Sequence, residues 1–277
     1  MLRVFLFLVV AATGANAQSL RLVSTTTTTN SGLMDVLLPA FEADSGIRVA
    51  LISAGTGEAI EIAKRGDVDV ILVHHRPSED ALIASGDAIG RRDLMYNDFV
   101  IIGPKDDPAG IRAAKNAGEA MGFIAKSGAT FAGRGDESGT HRREQELWAK
   151  AGVTEFGSWH LETGAGMGAT LNISSAMNAY VLSDRATWLA FGNKGDLQLL
   201  YQGGEGLLNP YGVMLVNPAR FAHVQAEAGK TFIDWLVGEP GQKAIALFRI
   251  DGQQMFCPMA LPDVLGAYAP VDSMCQQ

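Results

Sequence analysis

The residues best suited to chemistry lie in the stretch 131–141, where an apolar run meets an arginine flanked by glycines and then a Ser-Gly-Thr step. Ser138 precedes a charged amphipathic segment and is of a residue type that caps helices. The free N–H groups of a helix start, together with hydroxyl groups and a guanidinium, suit an anion. We therefore predict that Arg134, Ser138 and Thr140 contact a bound anion.

Three other turns carry the same combination of hydroxyl groups, glycines and a predicted helix start. They are the threonine tract 25–29, the turn 53–57 and the turn 163–170. Each follows a short apolar segment of strand length and precedes a segment with helical periodicity. Such loops lie at the carboxyl ends of strands, where open α/β sheets bind ligands. The full set of predicted anion contacts is Thr25, Thr26, Thr27, Thr56, Arg134, Ser138, Thr140 and Thr170.

Each predicted contact also has a purely structural interpretation. Serine and threonine hydroxyls cap helices and form hydrogen bonds within turns, and Thr170 can lie inside its helix. Arg134 can form a surface ion pair with Asp136 or Glu137. The residue pattern leaves both interpretations open for every position.

The order of segments predicts an α/β fold. Apolar strands and amphipathic helices alternate at short spacing from residue 20 onward, which is typical of parallel sheets. We expect two lobes, each a mainly parallel sheet flanked by helices, joined by two crossing strands. Lobe 1 comprises residues 18–102 and 208–277, and lobe 2 comprises residues 103–207. Two of the four polar turns fall in each lobe, so the ligand is expected in the cleft between them.

The N-terminus has the pattern of an export signal. Arg3 precedes a short apolar run, and Ala15-Asn16-Ala17 fits a cleavage site, so residues 1–17 are predicted to be a signal peptide. We therefore expect a periplasmic protein. Export makes oxidation of Cys257 and Cys275 possible; the sequence leaves open whether they form a disulfide or remain free thiols.

Composition and spacing count against several other functions. The net charge of −8 makes nucleic acid an unsuitable partner. Ser138, His141 and Asp136 lie within six residues, too close along one turn to line up as a catalytic triad, and no Gly-x-Ser-x-Gly motif is present. The histidines lack the spacing of a metal site. We expect a monomeric binding protein and no enzyme, with no catalytic residue, no metal and no cofactor.

Several of these motifs resemble those of the tungstate-binding proteins of ABC importers. Residues 24–33 are similar to that family's Thr-Thr-Thr-Ser signature, and residues 133–141 to its Arg-Gly-Asp-x-Ser-Gly-Thr-His signature. The segments 54–57, 95–100, 164–168 and 209–212 are similar as well. The resemblance covers nearly the whole mature chain. One departure is Thr27, where the family often has serine, and it keeps the hydroxyl group.

The resemblance implies a type II periplasmic binding fold that holds tungstate between its lobes and delivers it to a membrane permease and its ATPase. It also implies that the threonine signature and Arg134 contact the ion. Molybdate or another tetrahedral oxyanion is the alternative ligand. A ligand-sensing domain and an exported phosphate-ester hydrolase are the alternatives from other functional classes.

Overall fold

The computed structural model describes residues 19–250, 252–261 and 275. The predicted signal peptide, residues 1–17, lies outside the described residues. The strands are β1 (Ser19–Thr25), β2 (Arg48–Ala54), β3 (Val70–Val73), β4 (Ala88–Pro104), β5 (Phe131–Gly133), β6 (His160–Glu162), β7 (Val181–Asp184), β8 (Leu197–Gln202), β9 (Leu208–Val216), β10 (Arg249–Ile250), β11 (Gln253–Gln254) and β12 (Cys257–Pro258).

Ten α-helices alternate with these strands in the described part of the chain. They are α1 (Thr26–Asn30), α2 (Met34–Ser45), α3 (Thr56–Lys64), α4 (Arg76–Ala84), α5 (Ala117–Ser127), α6 (Gly139–Lys150), α7 (Met167–Met177), α8 (Arg185–Ala190), α9 (Ala226–Val237) and α10 (Glu239–Leu247). Two single 3-10 turns lie at Ile111–Ala113 and Glu205–Leu207. None of these described helices combines the length and apolar character that crossing a lipid bilayer requires.

The α/β fold is confirmed, but the main sheet is mixed. Its strand order is β12-β4-β9-β3-β1-β2, and β7 and β8 also pair with β4. Only the β1–β2 and β1–β3 pairs of this sheet are parallel. The pairs β3–β9, β4–β9, β4–β7, β4–β8 and β4–β12 are antiparallel. The sheet is mixed because the long strands β4 and β9 run in opposite directions beside each other.

Strand β4 links two sets of neighbours. Its first part pairs with β9, up to Asp98 opposite Leu208. Its last part, from Phe99 onward, pairs with β7 and β8. A bridge between Phe131 and Tyr180 adds the parallel pair β5–β6 beside β7. The chain thus passes through β4 from one packed region into the next.

Three hydrophobic clusters fill the described structure. The first packs β1, β3 and β9 against α2 and α9 and includes Leu22, Phe41 and Phe232. The second is built around Phe131 and Trp148, and the third lies on the other face of β4. Apart from Ala186, the first cluster draws only on buried residues up to 95 and from 211 onward. The predicted lobe boundaries fall inside β4 and at the start of β9, and the division at those residues stays a prediction.

Three local features differ from the sequence-based expectations. The threonine tract forms the short helix α1, capped by the Thr25 hydroxyl, and is no irregular turn. The residue pattern predicts a helix over residues 111–121, but α5 begins only at Ala117, because Asn116 caps it by accepting the N–H of Glu119. The residue pattern predicts a helix over residues 171–179, but α7 begins four residues earlier, at Met167, after the extended residue Gly166.

The tail beyond β11 is tied to the main sheet. Cys257 and Cys275 form a disulfide with a Cα–Cα distance of 5.5 Å. Cys257 also belongs to β12, which pairs with β4 through Tyr96 and is fully buried. Of the two cysteine states that the sequence left open, the structure contains the oxidised pair.

Candidate anion-binding site

Two adjoining cavities lie where the polar turns converge. The smaller cavity has a volume of about 350 Å³, and the larger cavity about 530 Å³. Both are lined by Thr26, Thr27 and Arg134. The smaller cavity is completed by Thr25, Gly55, Thr56, Gly57, Glu58, His74, Asp136, Glu137, Ser138, Gly139 and Thr140. The larger cavity is completed by Asn30, Ser31, Gly166, Met167, Gly168, Ala169, Ala186, Thr187, Ala190 and Phe191.

Seven of the eight predicted contacts line the smaller cavity. They are Thr25, Thr26, Thr27, Thr56, Arg134, Ser138 and Thr140. Thr170 lies outside both cavities and is 0% exposed. Its hydroxyl lies 2.8 Å from the Thr163 hydroxyl and donates to the Ala165 carbonyl oxygen at 3.2 Å. The early start of α7 explains this position, since it places Thr170 one turn inside the helix.

Three helices begin at the smaller cavity. Thr25 caps α1, and Ser138 caps α6 by accepting the N–H of His141 at 3.2 Å. Gly55 precedes α3 with an extended backbone and no side-chain cap. The amides of a first helical turn have no carbonyl partner within their own helix, and the helix dipole is positive there. Thr56, Gly57, Gly139 and Thr140 therefore bring amides, hydroxyls and positive potential to one cavity.

The Arg134 side chain lies between the two cavities and is held by two partners. Its Nε donates to the Ala165 carbonyl oxygen at 2.8 Å and to Asp136 Oδ2 at 3.1 Å, and its Nη2 also donates to Asp136. Burial raises the pKa of Asp136, but the hydrogen bond from Ser138 and the charge of Arg134 outweigh this and hold that pKa below its usual value. The ion pair that the sequence left as an alternative is present, and Arg134 lines both cavities nonetheless.

His74 is a cavity residue that the sequence analysis did not assign. It follows β3 and is 7% exposed. Its Nδ1 lies 2.9 Å from Asn209 Oδ1, and its Nε2 lies 3.3 Å from Thr27 Oγ1. Burial lowers the pKa of His74 to about 4. The signal that could have found it is topological, because β3 is parallel to β1 and ends beside the threonine tract.

Contacts between α6 and the segment after β3 close one side of the smaller cavity. Arg142 Nη1 donates to the Ser78 hydroxyl at 3.1 Å, and His75 Nε2 lies 3.9 Å from Glu146 Oε1. Gly139 packs so closely that a Cβ at this position would lie 2.8 Å from His74 Cε1. A larger residue at the start of α6 would therefore push the two sides of this cavity apart.

The donor set of the smaller cavity suits an anion. Hydroxyls and amides donate without carrying a full charge, and Arg134 adds one positive charge. Within the described residues, no three His, Cys, Asp or Glu side chains cluster in a way that could hold a metal ion. The lining can therefore bind a small oxyanion through hydrogen bonds from several directions.

Comparisons with known proteins show what the chain as a whole is similar to. The family model described as "PBP superfamily domain" matches residues 10–240. The chain is 45% identical to the "Putative ABC transporter anion-binding protein" of Haloferax volcanii, covering 93% of this chain and 77% of that protein. It is 37% identical to the "Tungstate-binding protein TupA" of Peptoclostridium acidaminophilum, covering 87% and 86% of the two.

A solved structure is similar to this chain in both sequence and fold. The tungstate-binding protein TupA from Desulfovibrio alaskensis G20 superposes with a TM-score of 0.80 at 36% sequence identity. The match covers 88% of this chain and 99% of that chain. The similarity therefore extends over most of this chain and nearly all of that structure.

Proposed function

This chain belongs to the PBP superfamily and, within it, to the family of the tungstate-binding proteins, and from this membership we propose that it captures tungstate for an ABC importer. The ion is held in the smaller cavity between the two lobes of a type II binding fold. The observation that carries the proposal is the convergence of seven predicted anion contacts on that one cavity.

The physical basis of capture is local. The whole chain has a net charge of −8, so its overall field repels a dianion. Hydrogen bonds to a charged group each contribute about 1.5–3 kcal/mol, and several of them together offset the cost of removing water from the ion. We assign ligand contacts to Thr25, Thr26, Thr27, Thr56, Arg134, Ser138 and Thr140. Thr170 instead stabilises the turn at Ala165, whose carbonyl oxygen accepts a hydrogen bond from its hydroxyl.

The transport role follows from the family and not from the cavity. We propose that the protein works in the periplasm after removal of residues 1–17, closes on the ion by a hinge motion and acts as a monomer. It then delivers tungstate to a permease and its ATPase. No catalytic residue, metal or cofactor takes part in this function, which is binding and release without turnover.

The direct test is a parallel titration of the desalted protein. Tungstate, molybdate, sulfate and phosphate are each titrated by calorimetry, and the melting temperature is recorded with each anion. We expect one site per chain, and a rise in melting temperature with tungstate because a ligand that binds only the folded state stabilises it. Binding of sulfate or phosphate alone would overturn the ligand assignment, and stronger binding of molybdate would replace tungstate by its alternative.

A matched pair of threonine variants tests the location of the site. Thr56→Val removes one cavity hydroxyl and keeps the side-chain shape; we expect tungstate affinity to fall about tenfold, the effect of one lost hydrogen bond to a charged group. Thr231→Val is the control, because Thr231 is exposed on α9 and its hydroxyl donates only within that helix. Equal affinities for the two variants would place the ion elsewhere.

A further inference from the structure

The two ring nitrogens of His74 face a buried polar chain on one side and the anion cavity on the other. Asn209 Nδ2 donates to Asn97 Oδ1 at 2.7 Å, which turns the Asn209 oxygen toward His74. That oxygen can only accept, so His74 Nδ1 carries a proton and donates it. Tyr211 packs against the imidazole at 4.7 Å between ring centres and holds its orientation.

This arrangement sets the direction of the hydrogen bond to Thr27. A neutral His74 with its proton on Nδ1 has a lone pair on Nε2, so the Thr27 hydroxyl is the donor in a hydrogen bond across their 3.3 Å contact. The Thr25 hydroxyl, 3.1 Å from the Thr27 oxygen, can then only donate to it. The one proton of the Thr27 hydroxyl is then unavailable to a ligand. Thr27 nevertheless lines both cavities and is a predicted anion contact.

A bound dianion is in conflict with that direction. The anion accepts hydrogen bonds, so Thr27 would have to turn its proton toward the ion and leave Nε2 unpaired in a buried site. A proton on Nε2 removes the conflict, because the imidazolium donates to the Thr27 oxygen and Thr27 donates to the ion. On the basis of the proposed function, we infer that His74 takes up a proton when the oxyanion binds.

The surroundings favour a neutral His74 in the empty site and a protonated one in the occupied site. Burial, with smaller contributions from His75 on the same segment and Arg143 on α6, lowers the pKa of His74 to about 4, although the hydrogen bond to Asn209 raises it. Tyr211 on β9 is neutral, because burial raises its pKa. Across the cavity lie Arg134, Glu58, Asp136 and Glu137. Two added negative charges in this cavity stabilise the imidazolium directly.

The consequence is that capture and protonation are thermodynamically linked. Uptake of one proton on binding makes the affinity rise about tenfold for each unit by which the pH falls, between the pKa values of the empty and occupied forms. His74 is thus a positioning residue that acts on the ligand through Thr27 and gains a proton when the ligand binds. It also fixes the direction in which the Thr27 hydroxyl donates.

Calorimetry in buffers of different ionisation enthalpy measures the proton uptake. Tungstate is titrated at about pH 7, where the free ion stays a dianion, into protein in three such buffers. We expect an uptake of about 0.5–1 proton per bound ion. In His74→Gln, whose amide can still bond to Thr27 but does not titrate, the uptake should fall below about 0.1 proton.

The control variant and a second measurement keep the outcome unambiguous. His223→Gln changes a histidine that lines neither cavity and whose Nε2 bonds to the Gly66 carbonyl oxygen, and it should keep the uptake of the unmodified protein. The protein has five histidines, so ¹⁵N spectra of the imidazoles can follow each one during the titration. We expect one imidazole to gain a proton when tungstate is added, to the extent that calorimetry measures, and that signal to be missing in His74→Gln.

The failure of this inference differs from the failure of the proposed function. Tungstate binding without proton uptake, or with all five imidazoles unchanged, would overturn the role of His74 and leave the function intact. An uptake that persists in His74→Gln would also overturn it. Absence of binding by the unmodified protein would instead overturn the proposed function itself.

Discussion

Arg134, which lines both cavities, forms an ion pair with Asp136 in the lining of the smaller one, two residues apart on one turn. The guanidinium is anchored a second time by the Ala165 carbonyl oxygen. A dianion beside this pair meets a positive charge that is partly neutralised but held in a fixed orientation. Substituting Arg134 and Asp136 in turn separates the effect of the guanidinium's orientation on tungstate affinity from the effect of the local net charge.

Arg134→Lys keeps the charge and removes the planar fork of donors. We expect tungstate affinity to fall at least about tenfold, because lysine cannot bond to the ion in parallel or to Ala165 in the same way. We also expect the preference for tungstate over molybdate to narrow, since a rigid fork favours the slightly larger ion. Parallel calorimetry with both ions measures the ratio, with the exposed Arg48→Lys as the control. An unchanged ratio would show that Arg134 does not discriminate between them.

Asp136→Asn removes the negative charge and keeps an oxygen that can accept the Ser138 N–H. Arg134 stays anchored through Ala165, so we expect tungstate to bind about tenfold more tightly at low ionic strength. This gain in tungstate affinity should shrink as salt is added, because dissolved ions screen the repulsion between Asp136 and the bound dianion. Calorimetry at two salt concentrations checks this. Weaker binding would mean that Asp136 acts by holding Arg134 in place.

Gly139→Ala tests the close contact between α6 and His74. The added methyl group would lie 2.8 Å from His74 Cε1 and 3.3 Å from Thr56 Oγ1, so the two sides of the cavity cannot approach as they do here. We expect at least about a tenfold loss of tungstate affinity with little change in the free energy of unfolding without ligand. Gly122→Ala on α5 is the control, because its added carbon meets only Ala151 at 3.9 Å. Equal tungstate affinities in the two variants would contradict the contact.

Asp69→Asn tests the contacts by which the residue before β3 is tied to β1 and to the start of α9. Asp69 is fully buried and accepts hydrogen bonds from the backbone and side chain of Arg21 and from the Gln225 N–H. Burial alone would raise its pKa, but these bonds and the Arg21 charge lower it. We expect a loss of about 2 kcal/mol in the free energy of unfolding at neutral pH, since Arg21 stays partly hydrated.

The sign of the pH dependence follows from the lowered pKa. The Asp69 contribution is fully present above the ordinary aspartate pKa of about 4 and is lost as the pH falls through the lower value of the folded state. Urea unfolding of Asp69→Asn and the unmodified protein at a series of pH values should therefore converge in acid. Asp67→Asn, an exposed carboxylate paired with Arg65, should change stability by less than about 0.5 kcal/mol throughout. A constant difference down to acid pH would rule out the charge as the cause.

The amino-acid sequence by itself determined the features that depend on neighbouring residues. Ser138 caps α6 as predicted, and Asp184 caps α8, because a cap needs only a side chain and an amide three residues away. The alternation of strands and helices indicated the α/β class for a similar reason. The signature motifs around Thr25 and Arg134 identified the family, since their residue types are specific over short stretches.

Tertiary structure alone decided which of these local features meet. His74 and Asn209 are separated by 135 residues, and they come together because β3 pairs with β9. The Ala165 carbonyl oxygen that anchors Arg134 lies 31 residues away along the chain. Because α7 begins at Met167, Thr170 lies inside that helix and does not line the cavity. Such contacts depend on strand register and on the packing of helices, and no pattern of neighbouring residues encodes either. The sequence therefore indicated the donors of the site, and the fold selected those that face one another.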